Sequence, residues 1–363
     1  MHAAACTASC TRGGEAIILH IVGARPQFIK LAPVVRAFRD LSLPYKVLHT
    51  GQHYDYTMSD LHFSSLGLAD PDFHLGIGSG SHARQTARML EGIETVLVAE
   101  KPSCILVYGD TNSTLAGALS AAKLKVPVGH VEAGVRSFDK GMPEEINRLV
   151  ADHVSDHHFC PTANALALLQ HEGITGTLTG DVMYDALLQT PPEDLSHPYT
   201  TPFGIVTIHR AENTDAQERF HAIWEGLRLI AKELPMLFPV HPRTRSAFGE
   251  LLRESPPGIR VIEPVSYFTM LAMIRDASLV ITDSGGVQKE AFLLGSPCVT
   301  VRDVTEWPET VQAGANRLSA AEPEALYHAA QAMMGRRVVL EENPFGNGRA
   351  SSAIAEFVKG VYN

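Results

Sequence analysis

The segment LVITDSGGVQKEAFLL, residues 279–294, reads as one repeating unit of structure. Residues 279–282 are a short run of strand formers with no polar alternation, as a strand buried on both faces should be. Asp283-Ser284-Gly285-Gly286 is a turn, and residues 287–294 carry a helical pattern. The same order recurs along the chain. In the first half, apolar runs fall at 16–22, 45–49, 104–108, 126–131, 157–160 and 176–179. In the second they fall at 203–208, 236–240, 259–262, 279–282 and 297–301. Helical patterns lie between them, at 26–38, 83–99, 114–123, 216–233 and 322–334. Strand–helix alternation predicts an α/β fold of parallel sheets with helices on both faces.

The chain has 363 residues, which suggests two domains sharing a cleft. A polar, Pro-rich stretch, QTPPEDLSHPYTTP at 189–202, divides the series. We therefore expect a disordered leader at 1–15, a first domain at 16–188, a second at 203–345, and a terminal helix at 346–363 that packs back on the first.

The net charge of -10 argues against a nucleic-acid partner, which needs a basic face. It still permits an anionic small molecule held by a few cations in the cleft. The five cysteines, Cys6, Cys10, Cys104, Cys160 and Cys298, are odd in number and irregularly spaced. That is reduced, cytoplasmic usage, not a disulfide framework. The leader lacks the basic and apolar regions of a secretory signal. No apolar run approaches the ~18 residues of a membrane span, so no membrane partner is expected.

In open α/β sheets, ligands bind beyond the carboxyl ends of the strands. The residues there are polar and specific: Gly23-Ala24-Arg25-Pro26, Thr50-Gly51-Gln52-His53, Gly109-Asp110-Thr111, Glu132-Ala133-Gly134, His209-Arg210 and His241-Pro242-Arg243. At Ser284-Gly285-Gly286, two glycines let the backbone approach a phosphate, and the helix start offers N–H groups to an anion. An ordinary tight turn is the plain alternative. Glu290 lies one to two turns further and could reach ribose hydroxyls. Neither GxGxxG nor GK[ST] is present, so no dinucleotide cofactor is indicated. Arg25 and Lys30 form a basic clamp at a helix start, or simply a solvated one. Asp110 and Glu132 end buried strands, where a bare charge is costly. Asp110 could equally cap the helix from Thr111, and Glu144, after Pro143, could equally complement a helix dipole. His209 beside Arg210 suits a phosphate contact. His153, His157 and His158 lack a third-ligand pattern, so no metal is expected.

Together, Arg25-Pro26 with Lys30, Gln52-His53, Gly109-Asp110-Thr111, HVEAGVRS (130–137), MPEEINR (142–148), TIHRAEN (207–213) and TDSGGVQKE (282–290) resemble the non-hydrolysing UDP-N-acetylglucosamine 2-epimerases. The resemblance runs from Ile17 to the C-terminus. It implies a GT-B fold, two Rossmann-like domains with the active site between them, and often a homodimer. Carried across position by position, it places the catalytic acids on Asp110, Glu132 and Glu144 and the catalytic histidine on His209. Nucleotide contacts fall on Arg25, Lys30, Ser284, Gly285, Gly286 and Glu290. From the same motifs and strand ends, Gln52, His53, Arg136, Arg210 and His241 are expected at the substrate.

Some positions depart from the family. Gln27 and Trp307 stand where many members acting on UDP-N-acetylglucosamine carry Glu and Arg. Val265 and Met270 replace a Gln and a Phe. The GARPQF and TEW forms resemble a branch that includes epimerases acting on UDP-diacetamido-uronic acids.

The chemistry explains the residue types. C2 of an N-acetylated sugar is not acidic enough to ionise alone. If UDP leaves C1 as the C2 proton is removed, a 2-acetamido glycal forms, and UDP can add back with a proton on the other face. This needs acid–base groups on both faces, cations for the diphosphate and a closed cleft. No redox step arises, so neither NAD nor another cofactor is expected. The implied product is a UDP-ManNAc-type sugar for a surface polysaccharide. A hydrolysing 2-epimerase, a GT-B glycosyltransferase and a non-catalytic sugar-nucleotide sensor are the competing readings.

Overall fold

The computed structural model describes residues 16–52, 66–200, 202–336 and 342–362. The leader expected at 1–15 lies outside them. The first half holds β1 (Ile18–Val22), β2 (Tyr45–His49), β3 (Phe73–His74), β4 (Cys104–Tyr108), β5 (Val128–Val131), β6 (His157–Cys160) and β7 (Thr177–Leu178). The second half holds β8 (Gly204–Thr207), β9 (Met236–Pro239), β10 (Ile259–Ile262), β11 (Leu279–Thr282), β12 (Cys298–Thr300) and β13 (Asn316–Leu318). The central strands β1, β4, β8 and β11 are buried along their whole length, as their unbroken apolar runs require. The sequence did not signal β3 and β13. Both are short edge strands, Phe-His and Asn-Arg-Leu, with too few residues to show a period.

Each half is a parallel, doubly wound sheet. The orders are β3-β2-β1-β4-β5-β6-β7 and β10-β9-β8-β11-β12-β13. In both, the winding reverses between the first strand and the fourth. A crevice opens at the carboxyl ends of such a strand pair. The loops there begin with Gly23 and Gly109 in one sheet and with Ile208 and Asp283 in the other. This is the GT-B arrangement, and it sets what the site is made of.

Each half has its own core. One gathers Val22, Phe28, Phe38, Leu106 and Tyr108, and the other Val206, Phe220, Trp224, Phe238, Ile281 and Val299. A smaller cluster joins them: Val135 and Leu169 meet Phe292, Trp307 and Phe345. Phe345 lies on the return of the chain to the first half. Its carbonyl accepts the Asp181 N–H at 2.9 Å. Gly180 and Gly346 cross there at φ +87° and +93°, and a Cβ on Gly346 would sit 3.0 Å from the Gly180 Cα. Only glycine fits both the angle and the approach. The terminal helix Ala350–Tyr362 then packs on helices Arg25–Asp40 and Val182–Leu188. Buried Asp185 caps it, accepting from the N–H of Ala350 at 3.2 Å and of Ser351 at 2.7 Å.

Candidate active site

The carboxylates of the first sheet take different partners. Beyond β4, Gly109 turns at φ +61° and helix Asn112–Lys123 begins. Its N-cap is Thr111, whose side chain accepts from the Thr114 N–H. Asp110 is therefore not the cap. Its Oδ2 lies 2.5 Å from Arg148 Nη2, and Asn147 holds its carbonyl at 2.8 Å. Beyond β5, Glu132 adopts φ +74°, a left-handed conformation that residues with a Cβ rarely take. Two lysines hold it there: Lys30 at 2.5 Å and Lys289 at 2.9 Å. Burial would raise its carboxyl, but Lys289 and Lys30 pull it down to about 2. Asp110 and Glu132 share one wall. A Cβ on Gly109 would lie 2.8 Å from Lys30 Nζ and 3.3 Å from Glu132 Oε1.

The adjacent glutamates at the start of helix Pro143–Val154 divide their work. Buried Glu145 accepts from the N–H groups of Ser137 and Phe138, at 2.8 and 3.0 Å, and pairs with Arg148. It fixes the loop leading in from Arg136. Half-buried Glu144 has no charged partner among the described residues.

The second sheet supplies cations and a helix start. After β8 the chain turns through His209 and Arg210 onto the fully buried Asp283. The carboxylate of Asp283 accepts the N–H of His209 at 3.0 Å, that of Arg210 at 2.9 Å and Asn213 Nδ2 at 3.0 Å. The His209 ring is left partly exposed, 5.3 Å from that of His241. Arg210 reaches Glu306 at 3.4 Å, where Arg302 at 2.5 Å and Arg148 at 3.9 Å converge. Burial opposes ionisation of Glu306, but Arg302, Arg148 and Arg210 pull it down to about 2. Ser284 caps helix Gly285–Leu293, accepting from the Val287 N–H. The first-turn N–H groups of a helix have no intrahelical acceptor. A Cβ on Gly285 would collide with the Glu306 carboxylate, whereas Gly286 is open.

Arg25, on the first sheet's side, faces Glu290 and Tyr267 of the second. Burial lowers the Arg25 guanidinium against the pull of Glu290. Burial also raises the Glu290 carboxyl to about 7, in spite of Arg25, Lys289 and a Tyr267 hydrogen bond.

Other expected residues go elsewhere. Gln52 accepts from the N–H and hydroxyl of Ser113, at 3.1 and 2.7 Å, and so braces a helix start. His53 lies outside the described residues. Arg136 is buried against Asp152 at 2.6 Å and Glu172 at 2.8 Å, so it braces the loop after Glu132 and presents no free cation to the cleft. Exposed His241 caps helix Pro242–Arg253 through the Arg243 N–H. His153, His157 and His158 bond to the Leu149 carbonyl, the Tyr362 hydroxyl and the Asp152 carbonyl. Among the described residues no group of three His, Cys, Asp or Glu is placed to hold a metal, and no helix is long and apolar enough to cross a membrane. The sequence alone assigned no role to Arg148, Asp181, Asp283, Lys289 or Glu306, although Asp283 is among the strand-end residues. A faint signal existed for Arg148, four residues after Glu144 on one helix face.

The comparisons with known proteins agree with this geometry. Residues 36–359 match the family model described as UDP-N-acetylglucosamine 2-epimerase. A Pseudomonas aeruginosa protein described as UDP-2,3-diacetamido-2,3-dideoxy-D-glucuronate 2-epimerase is 46% identical, over 94% of this chain and 99% of its own. The UDP-GlcNAc 2-epimerase of Methanocaldococcus jannaschii, solved with UDP-GlcNAc and UDP, superposes with a TM-score of 0.89 at 41% identity, over 95% of this chain and 99% of that one. The Neisseria meningitidis UDP-GlcNAc 2-epimerase, bound to UDP-GlcNAc, gives a TM-score of 0.85 at 30% identity, over 96% and 100%.

Proposed function

The chain belongs to the UDP-N-acetylglucosamine 2-epimerase family, and we propose that it converts UDP-GlcNAc to UDP-ManNAc without releasing free sugar. The reaction is an isomerisation. The C2–H and C1–O bonds break, a C1=C2 bond forms, and UDP is retained. The C1–O bond then re-forms as a proton arrives on the opposite face of C2. One juxtaposition supports the reading: Glu132 of the first half meets Lys289 of the second at 2.9 Å, and Asp110 pairs with Arg148, which lies 3.9 Å from Glu306, itself 3.4 Å from Arg210. Glu132, held by two lysines, is suited to stay ionised beside C1, where positive charge grows as UDP leaves. Asp110 and Glu144 are then the groups that exchange the proton at C2. Arg25, His209, Arg210 and the helix start at Ser284-Gly285-Gly286 receive the diphosphate. Glu290 takes the ribose.

A second reading keeps this chemistry and changes the sugar to UDP-2,3-diacetamido-2,3-dideoxy-glucuronate. The 46% identical relative favours it, as do Gln27 and Trp307. Proton NMR with each nucleotide sugar in separate tubes decides: the substrate is the one whose C2 epimer accumulates. Free N-acetylmannosamine with UDP would instead move the chain to the hydrolysing class.

Residues 16–188 carry the acids, 203–345 the nucleotide and 346–363 the return helix. The chain works as a cytoplasmic homodimer supplying a surface polysaccharide. Reduced thiols support the compartment: Cys104, Cys160 and Cys298 are buried and unpaired.

A further inference from the structure

Lys289 sits in helix Gly285–Leu293, which follows the Ser284 turn, one residue before Glu290. Its side chain is 1% exposed. The ammonium lies 2.9 Å from Glu132 Oε2 and 2.5 Å from Asp181 Oδ2, both in the other half of the molecule. It also stacks 4.1 Å above the Trp307 ring, a cation–π contact shielded from water. Asp181 is the N-cap of helix Val182–Leu188, and its own N–H is bonded to Phe345 on the returning chain. Trp307 packs on Phe345 at 5.6 Å. Lys289 thus joins three things in one place: the nucleotide helix, the point where the chain crosses between halves, and an acid of the catalytic wall.

We propose that Lys289 is a positioning residue, and that by bridging Glu132 and Asp181 across the two domains it makes the ionised state of Glu132 depend on how the domains are seated on each other. The inference rests on the reading that Glu132 acts in the reaction as a carboxylate. The charges facing Glu132 are Lys30, from helix Arg25–Asp40, and Lys289, from helix Gly285–Leu293. Asp181 faces it through their shared Lys289. Lys30 belongs to the same domain as Glu132 and moves with it. Lys289 belongs to the other, so a movement that carries its helix away from the first domain breaks both of its ion pairs together. The direction follows from charge. Withdrawing Lys289 removes one of two cations from a buried carboxylate and leaves Asp181 uncompensated nearby, and both changes favour the protonated acid.

The test is the pH profile of kcat with UDP-GlcNAc, from about pH 4 to about pH 9, for wild type and variants. If UDP-GlcNAc is not turned over, the diacetamido-glucuronate nucleotide takes its place. With Glu132 starting at about 2, Lys289→Met should move its acid limb upward by about two to three pH units, into the range covered. Lys289→Arg should restore it. Asp181→Asn, which leaves Lys289 wholly to Glu132, should not move it up. The double variant Lys289→Met, Asp181→Asn keeps the charge balance at the crossing and guards against simple misfolding; its limb should also move up. A uniform fall in kcat with the limb unmoved in both Met variants would overturn the proposal. Glu132→Gln separates the two ideas. Full activity there would remove the role of Glu132 itself, whereas an inactive Gln variant with unmoved limbs would remove only the role of Lys289.

Discussion

Buried Asp283, just past the end of β11, accepts the backbone N–H of His209, just past the end of β8, at 3.0 Å. The two central strands of the second sheet are thus tied at the crevice, and the ring of His209 is aimed by another residue's carboxylate. Asp283→Asn should replace one acceptor oxygen with a donor facing N–H groups. The expected cost is about 1–3 kcal/mol of stability, with a fall in kcat of tenfold or more as the His209-Arg210 turn loosens. Denaturant midpoints and turnover measured together check it; a stable variant with unchanged kcat would contradict the role.

Gly285 has no room for a side chain beside Glu306. Gly285→Ala should push that carboxylate off its arginines and crowd the anion cradle. The KM for the nucleotide sugar should rise at least tenfold with a smaller change in kcat. Equal binding of UDP by variant and wild type, measured by calorimetry, would show that the turn does not hold the diphosphate.

Glu290 gives a pH signature. Burial raises its carboxyl from 4.5 to about 7. The folded protein therefore binds a proton in this window that the unfolded chain has lost, so stability falls as pH rises from about 4.5 to about 7. The contribution is on the order of 2–4 kcal/mol. Glu290→Gln should flatten this part of the profile in the ligand-free protein. Denaturation at several pH values reads it directly, and parallel wild-type and variant curves would refute it.

Asp110→Asn removes one acid from the wall while keeping its shape. Turnover should drop by about 10²–10⁴-fold, with UDP affinity within a few-fold of wild type. Activity within tenfold of wild type would take Asp110 out of the proton exchange.

Most of the strands were readable because buried parallel strands are unbroken apolar runs, and the candidate site residues were readable because they sit at the carboxyl ends of those runs. Asp110, Glu132, His209 and Ser284 all follow such runs. Pairing was not readable. Arg148 and Glu306 lie on different domains, far apart in the chain, and meet only because the two sheets face each other. Arg136 resembles a free cation within its motif, yet Asp152, one turn from Arg148 on the same helix, neutralises it. Lys289 resembles a surface lysine because its neighbour Glu290 also faces inward, so the helix shows almost no amphipathic contrast there. The edge strands β3 and β13 escaped notice for want of length.

C2 is inverted, in the reaction proposed, through loss and return of its proton. The direct measurement is proton NMR of the purified protein with UDP-GlcNAc in D2O, with no NAD and no metal added, repeated with UDP-2,3-diacetamido-2,3-dideoxy-glucuronate. The C2 epimer of one of them should appear carrying deuterium at C2, with UDP still attached at equilibrium. An epimer that keeps its original proton at C2, or no exchange with either sugar, would contradict it.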